Sequence, residues 1–264
     1  SRRSHDSIAR YAERHPARPL IVALTGTDLY RDIREDANAQ ESMELATCMV
    51  VLQDMGLREL ALRLRRKTRV IYQSCDPILR QPVIKSCFEI VISGHLREEK
   101  DPFCGAAALR YLPADSRIRI THIGGAREPA LAREARRWMQ QEPRYIWLDE
   151  LTRSHALATL ARSRAMLLSS RMEGGANVIS EALTARVPVI ASNIAGNVGM
   201  LGRNYRGYYP VSNALALAKL LNKIESEAKF LETLRHQCME RRKLISRASE
   251  KRAWRALIAE TTNK

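Results

Sequence analysis

Short apolar runs rich in β-branched residues alternate along the chain with amphipathic stretches, a pattern typical of a parallel sheet covered by helices. The predicted strands cover residues 20–25, 70–73, 88–93, 117–123, 145–148, 165–169 and 188–192. Helical patterns run over residues 40–53, 101–112, 128–141, 153–163 and 176–185, and then over 212–223, 225–247 and 250–262. We therefore expect an α/β protein.

The organisation along the chain predicts two unequal sheet domains. From residue 86 onward strands and helices alternate regularly, and right-handed crossovers stack such a series into one doubly wound, Rossmann-like domain. The preceding residues 74–86 hold two prolines and few apolar side chains, which is typical of a linker. The expected divisions are a partial Rossmann-like domain over 1–80, a second one over 81–240, and a basic helix over 241–264 that packs back on the first.

The first of these domains is expected to lack its amino-terminal part. Only two strands are predicted before residue 80, too few for an independent sheet. The chain also opens at Ser1 without a methionine.

The net positive charge favours anionic ligands but does not indicate which anion is bound. Among 264 residues, 44 Lys and Arg face 29 Asp and Glu, a net charge of +15. The most basic stretch, residues 58–69, has no aromatic side chain between its charges, whereas grooves for nucleic acid interleave aromatics for stacking. Two interpretations stay open for this stretch: a solvated helix face, or a collar that draws in anionic substrates. We expect no nucleic-acid partner.

The cysteine pattern and the hydropathy of the chain predict a cytoplasmic protein. Five cysteines are widely spaced and form no C-x-x-C pair, so reduced thiols are expected. No apolar run reaches the ~18 residues of a membrane helix. The oligomeric state is left open.

One segment carries most of the chemical signal. Residues 169–183 (SSRMEGGANVISEAL) run from a strand end through two glycines into a helix. Glycines let the backbone approach a ligand, and the first N–H groups of a helix have no internal partners, so this is a candidate phosphate site. Glu173 and Glu181 are placed to face one cleft at the carboxyl edge of the sheet. The alternative is a tight turn with surface carboxylates.

A second segment supports the phosphate interpretation. Residues 94–102 (GHLREEKDP) also follow a strand and open a helix, and Arg97 and Lys100 are available to neutralise phosphate charge. No Asp-x-Asp pair is present, so no magnesium site is expected and the charge of a leaving group would fall to these cations and to helix termini. We expect no metal and no cofactor.

The combination resembles a known enzyme family. Glu173-x7-Glu181, the Gly94-x-Leu96-x-x-x-Lys100 segment and the strand 187–192 (VPVIAS) resemble the carboxy-terminal half of EX7E glycosyltransferases with the two-domain GT-B fold. Segments 23–30, 94–103 and 193–201 resemble the selenosugar synthases of selenoneine biosynthesis.

The resemblance implies a role for each matching residue. Glu181 would accept hydrogen bonds from the ribose diol of a UDP-sugar, and Glu173 would contact the hydroxyls of the sugar. The uracil is expected near Trp147 and Leu148, although a core position for Trp147 is the other interpretation. The catalytic set is Glu173, Lys100 and Arg97. The donor-binding set is Glu181, Gly174, Gly175, Ala176, Asn177, Gly94, His95, Trp147, Leu148 and Asn193.

The acceptor side departs from the family. Relatives often place His in the loop after the first strand, where this chain has Thr25, Gly26, Thr27 and Asp28. Those four residues either line the acceptor side of the cleft or form a turn capped by Asp28. Relatives also often carry Arg where this chain has His95, and phosphate contact is then expected to shift to Arg97.

The sequence therefore predicts a glycosyltransferase that moves a glucose-type sugar from UDP-GlcNAc or UDP-glucose to selenophosphate. That acceptor is already anionic and strongly nucleophilic, so it would need no protein base. The first alternative is a GT4-type transferase acting on a hydroxyl of a lipid, glycan or metabolite. The second is a basic polyanion-binding protein on an incomplete fold of this kind.

Overall fold

The computed structural model describes residues 2–262, so Ser1, Asn263 and Lys264, the last two within the predicted segment 241–264, lie outside the described residues. Two parallel sheets form the framework, and the predicted α/β class is confirmed. The strands are β1 (Ile21–Leu24), β2 (Cys48–Val51), β3 (Thr68–Val70), β4 (Phe88–Ser93), β5 (Ile118–Ile123), β6 (Tyr145–Trp147), β7 (Ala165–Leu168), β8 (Val189–Ser192) and β9 (Tyr208–Tyr209).

Helices cover both sheets. They are α1 (His5–Arg14), α2 (Ile33–Glu35), α3 (Ala37–Leu45), α4 (Leu62–Arg66), α5 (Cys104–Leu109), α6 (Pro129–Gln141), α7 (Arg153–Arg162), α8 (Asn177–Thr184), α9 (Ala195–Leu201), α10 (Ala214–Ser226), α11 (Ala228–Arg241) and α12 (Arg247–Thr262). None of the helices within residues 2–262 is long and apolar enough to cross a membrane.

The larger sheet creates a crevice by its strand order, β6-β5-β4-β7-β8-β9. From β4 the chain winds outward through β5 and β6, and then returns to the other side of β4 with β7, β8 and β9. The loops after β4 and β7 therefore leave the sheet in opposite directions, and a crevice opens between them at the carboxyl edge. Every residue of β7 and β8 is buried because helices pack on both faces of the sheet.

The smaller sheet has the order β1-β2-β3, with β1 and β2 in register from Ile21–Cys48 to Leu24–Val51. The helix expected over 40–53 is wrong in its second half. α3 ends at Leu45, and β2 follows after a two-residue connection. All four residues of β2 are buried, so their apolar run carries no alternation that would mark a strand. β3 also begins two residues before the predicted strand at 70–73.

The last helix lies against the smaller sheet. Leu257 of α12 packs with Cys48, Val50 and Ile71, and Glu260 pairs with Arg69 of β3. Earlier in the chain, residues 71–84 connect the two sheets without a helix or strand, and the Arg80 guanidinium donates to the Ser163 carbonyl at 2.7 Å. The chain thus crosses from the larger unit back to the smaller one at its end.

Candidate active site

Two adjoining cavities lie at the carboxyl edge of the larger sheet, in the crevice between β4 and β7. One cavity, of about 330 Å³, contains Glu173, and the other, of about 400 Å³, contains Glu181. They are called the sugar-side and the nucleoside-side cavity after the roles that the family resemblance implies for these two carboxylates. The two cavities share the residues Ser93, Gly94, His95 and Val178. The sugar-side cavity is also lined by Arg97, Lys100, Gly175, Ala176 and Asn177. One elongated ligand therefore has a continuous path past His95 with a carboxylate at each end.

Glu173 is held by two donors in the sugar-side cavity. Its Oε1 accepts from the Lys100 ammonium at 2.5 Å and from the Ser170 hydroxyl at 2.6 Å. Glu173 is 8% exposed, and these two donors replace hydrogen bonds to water that a buried carboxylate loses. The positive charge of Lys100 is correspondingly balanced by the carboxylate.

Glu181 lies on α8 and reaches the nucleoside-side cavity. Its Oε1 accepts from the Arg153 guanidinium at 2.9 Å, and Arg153 lines the same cavity. Burial raises the pKa of Glu181, and Arg153 partly offsets that rise. Arg153 is a functional candidate that the sequence alone did not supply, because 28 residues separate it from Glu181.

The glycine turn leads directly into the start of α8. Ala176 occupies the N-cap position and has no side chain that accepts a hydrogen bond. The first N–H groups of α8, beginning at Asn177, are therefore uncapped and lie beside the cavity that Ala176 and Asn177 line. This is the arrangement expected of an anion site, and the positive end of the helix dipole adds to it.

Gly174 makes the turn possible by its lack of a side chain. A Cβ on Gly174 would lie 2.3 Å from the backbone nitrogen of Gly26, in the loop after β1. The carbonyl of Gly174 also accepts from the Gln53 amide at 3.1 Å. The smaller sheet thus touches the turn that carries Glu173 through backbone and amide groups, and Gln53 had no local signal in the sequence.

A buried histidine braces the loop after β4. His122 of β5 contacts the Gly94 carbonyl through Nε2 at 3.1 Å and the Tyr145 hydroxyl through Nδ1 at 2.9 Å. A carbonyl only accepts, so Nε2 carries the hydrogen and Nδ1 accepts from the hydroxyl. Burial lowers the pKa of His122 to about 4, and the ring is therefore neutral at pH 7.

Two predicted phosphate contacts on this loop have partners of their own. Arg97 lies 3.6 Å from the Glu99 carboxylate, and the Nε2 of His95 accepts from Arg127 at 2.6 Å. Gly94 donates its N–H to the Ile123 carbonyl at 2.8 Å. The loop is therefore fixed by bonds to β5 and to the loop that follows it.

Four predicted donor contacts are not brought to the cavities: Gly174, which packs on Gly26, and the side chains of Trp147, Leu148 and Asn193. Trp147 is 8% exposed and donates its indole N–H to the Gly124 carbonyl at 2.9 Å, a core position. Leu148 is exposed, and the nucleoside-side cavity is lined instead by Glu150 and Leu151. Asn193 is exposed and donates its backbone N–H to the Tyr209 carbonyl. Neither cavity includes any of these three side chains.

The predicted acceptor-side loop forms a capped turn. The Asp28 carboxylate accepts from both the backbone N–H and the hydroxyl of Thr25, at 2.9 and 2.8 Å. This side chain therefore reaches back to the residue that starts the turn, as in one half of a capping box. Gly26 packs on Gly174. Thr27, the next residue in the chain, is half-buried.

Within residues 2–262, no group of three or more His, Cys, Asp or Glu side chains is arranged to hold a metal ion. Independence from a metal stays a prediction.

Solved structures similar to this chain share its whole fold at low sequence identity. Anabaena Alr3699/HepE, solved with UDP and glucose, superposes with a TM-score of 0.81 at 15% identity, over 97% of this chain and 76% of that one. The pneumococcal O-GlcNAc transferase GtfA, solved with UDP and GlcNAc, gives 0.77 at 16%, over 96% and 55%. The lipopolysaccharide outer core galactosyltransferase WaaB gives 0.72 at 14%, over 98% and 80%. The predicted GT-B fold is confirmed.

Sequence comparison gives the family. The chain is 27% identical to Glycosyltransferase 1 domain-containing protein 1 of Xenopus tropicalis over 113 residues, which is 42% of this chain. It spans about a third (32%) of the length of that curated relative. The family model for glycosyl transferases group 1 matches residues 80–244, which hold the larger sheet and the helices up to α11. The chain belongs to the glycosyl transferases group 1 family.

Proposed function

We propose that this protein is a glycosyltransferase that takes its sugar from a UDP-sugar. The observation that carries the proposal is the pair of cavities that meet at Gly94 and His95, with Glu173 in one and Glu181 in the other. A nucleotide sugar has the same layout: hydroxyl groups at both ends and a diphosphate between them. The similar structures solved with UDP add support to this choice of ligand.

Each end of the ligand has a proposed partner. Glu181 accepts from the ribose diol in the nucleoside-side cavity, and Glu173 contacts the hydroxyls of the sugar. The uncapped N–H groups at the start of α8 lie beside the sugar-side cavity and bind the diphosphate. Lys100 has three N–H donors, so it can keep one bond to Glu173 while it meets a phosphate oxygen.

The chemical step is displacement at the anomeric carbon. A bond forms from this carbon to the acceptor, the carbon–oxygen bond to UDP breaks, and the electron pair leaves with the diphosphate. Positive groups near the leaving oxygen stabilise the charge that develops there. Lys100, Arg97 and the start of α8 are the groups proposed for this role.

For the acceptor we propose selenophosphate, which gives a product with a carbon–selenium bond. The support is the resemblance described above together with the state of Asp28. Its carboxylate is buried and already binds two donors of Thr25, so it is poorly suited to take a proton from a hydroxyl acceptor. A selenophosphate nucleophile requires no such base.

The donor is tested by thermal unfolding with UDP, UDP-GlcNAc or UDP-glucose. Ligand at 100 times its Kd adds about 2.7 kcal/mol of stability, and a shift of several degrees is expected. Glu181→Gln should abolish this shift, whereas Glu240→Gln, on the exposed side of α11, should keep it. No shift in the unmodified protein, together with DNA binding that falls steeply with salt, would favour the polyanion-binding alternative.

The acceptor is tested by mass spectrometry of the products. The protein is incubated with UDP-GlcNAc or UDP-glucose, with and without selenophosphate, and UDP release is followed in parallel. A selenium-containing sugar that forms only with selenophosphate supports the proposal. UDP release that instead requires a hydroxyl acceptor would identify the GT4-type alternative.

A further inference from the structure

Most cations around the two cavities are neutralised by a carboxylate. The pairs are Lys100 with Glu173, Arg97 with Glu99, Arg153 with Glu181, and Arg171 with Asp101. Arg127 differs from all of them. Among residues 2–262 its guanidinium contacts no carboxylate, and its partner is the His95 ring. Its charge is therefore available to an anionic ligand.

The backbone fixes Arg127 next to His95. Because β4 and β5 are neighbours in the sheet, the loops that follow them run side by side. Leu96 donates its N–H to the Gly125 carbonyl at 3.1 Å, and Arg127 donates its N–H to the Leu96 carbonyl at 3.3 Å. A bridge between Leu96 and Ala126 joins the same two loops. The position of Arg127 thus follows from the sheet.

The bond between Arg127 and His95 determines the state of the imidazole. Arg127 Nη2 lies 2.6 Å from His95 Nε2. A guanidinium has donors only, so Nε2 is the acceptor in this bond and the ring hydrogen lies on Nδ1. That Nδ1 is buried and has no hydrogen-bond partner within the described chain. The ring orients the guanidinium without cancelling its charge.

We propose that Arg127 binds the diphosphate of the nucleotide, and that His95 is the positioning residue that holds Arg127 at the junction of the two cavities. Arg127 itself lines neither cavity, but its Nη2 lies 2.6 Å from the ring of His95, which lines both. The guanidinium is therefore next to the wall along which a nucleotide spanning the two cavities would place its phosphates. One N–H of Arg127 is used by His95, and four remain for phosphate oxygens. This inference rests on the proposed function.

The test compares UDP with uridine, which lacks the phosphates, by calorimetric titration of the full chain. Arg127→Gln is expected to weaken UDP binding about 10- to 100-fold, the usual value of a hydrogen bond to a charged group, and to leave uridine binding unchanged. The salt dependence of UDP binding should also become shallower. Arg133→Gln, an exposed arginine on α6, is the matched control and should change neither ligand.

The positioning role of His95 is tested with two variants. His95→Gln keeps an acceptor for Arg127 in the form of an amide oxygen, and His95→Leu removes it. We expect His95→Gln to recover most of the UDP affinity that His95→Leu loses. Because His95 acts through Arg127, His95→Leu combined with Arg127→Gln should cost no more than Arg127→Gln alone.

The outcomes separate this inference from the proposed function. If neither UDP nor uridine binds the unmodified protein, the proposed function fails and the inference fails with it. If UDP binds and Arg127→Gln leaves its Kd unchanged, only the role of Arg127 is wrong. Equal weakening of UDP and uridine in Arg127→Gln would show a structural role and also overturn the inference. If the losses in the double variant add, His95 does not act through Arg127.

Discussion

The two sheets meet at the site with different kinds of contact. On the larger sheet, the loops after β4 and β7 carry one charged pair beside the cavities, and the helices α7 and α8 carry a second. On the smaller sheet, the contribution is the backbone of Gly26 and the side-chain amide of Gln53, both packed against Gly174. The larger sheet therefore supplies the groups that we propose bind the donor, and the smaller sheet supports the turn that carries Glu173.

This difference has a physical reason. A ligand diphosphate needs positive charge and free N–H donors, which must remain accessible to it. The turn at residues 173–175 must be packed without a cavity and without a further charge that would compete with the ligand for Glu173 or Lys100. Close backbone contact and a neutral amide provide this support. Changes on the larger sheet should then alter binding and titration, and changes at the contact should alter stability.

The largest effect is expected from acid titration of His122 beneath the cavities. Its pKa is about 4 in the folded protein against 6.5 for the free side chain, so the unfolded chain binds the extra proton first. Stability is fully present above pH 6.5 and falls as the pH drops towards 4, by about 3 kcal/mol in total. Denaturant unfolding at a series of pH values measures this loss.

Two substitutions isolate the contribution of His122 from that of the carboxylates. His122→Gln should lose about 3 kcal/mol less than the unmodified protein over the same pH range. His155→Gln, an exposed histidine of α7, should lose as much as the unmodified protein. Equal slopes in all three proteins would mean that His122 is not held neutral by burial.

The next effect concerns the contact between the two sheets. Gly174→Ala places a methyl group 2.3 Å from the Gly26 nitrogen, and backbone on both sides leaves little room to yield. We expect a loss of about 1–3 kcal/mol in unfolding free energy. At Gly94 an added Cβ meets nothing within 4 Å, so Gly94→Ala should leave stability within about 0.5 kcal/mol. Similar stability of both variants would argue against the close contact.

The larger sheet could be predicted well because its signals are local. Each of its strands except β9 coincides with a predicted apolar run, and the glycine turn, the uncapped start of α8 and the loop at Gly94 lie within short segments of sequence. Glu173 and Glu181 could be placed on one cleft because a strand, a turn and a helix fix their relative positions. The cavities contain both carboxylates.

The parts that could not be predicted depend on long-range contacts. The strand β2 is a four-residue apolar run that the helical period of α3 concealed. Gln53 bonds to a carbonyl 121 residues away, and Arg127 meets a histidine 32 residues away. Trp147 packs in the core, as large apolar side chains at strand ends usually do. This position was the alternative that the sequence left open.

A smaller loss of stability is expected from the amide that joins the two units. Gln53 is fully buried, donates to Gly174 and to the Tyr30 hydroxyl, and accepts from the Gly56 N–H. Gln53→Leu removes the donor of the Gly174 carbonyl and of the Tyr30 hydroxyl, and it should cost about 1–2 kcal/mol. Gln237→Leu is the matched control because Gln237 also bonds at both ends but is partly exposed, and it should cost less than about 0.5 kcal/mol. Equal losses would show that burial of the amide is not what matters.

The smallest effect should come from the ion pair that fastens α12 to the smaller sheet. Arg69 and Glu260 are each more than a third exposed, so water and salt screen their attraction. Arg69→Gln should therefore cost less than about 1 kcal/mol, and 1 M salt should remove the difference.

The control is Arg63→Gln, which breaks a surface pair with Glu44. It gives the baseline for an ion pair that joins no helix to a sheet. A loss from Arg69→Gln well above that baseline and insensitive to salt would mean that α12 is held mainly by charge. The buried contact of Leu257 with Val50 and Ile71 argues that apolar packing holds it instead, as it does between the helices and strands of the larger sheet.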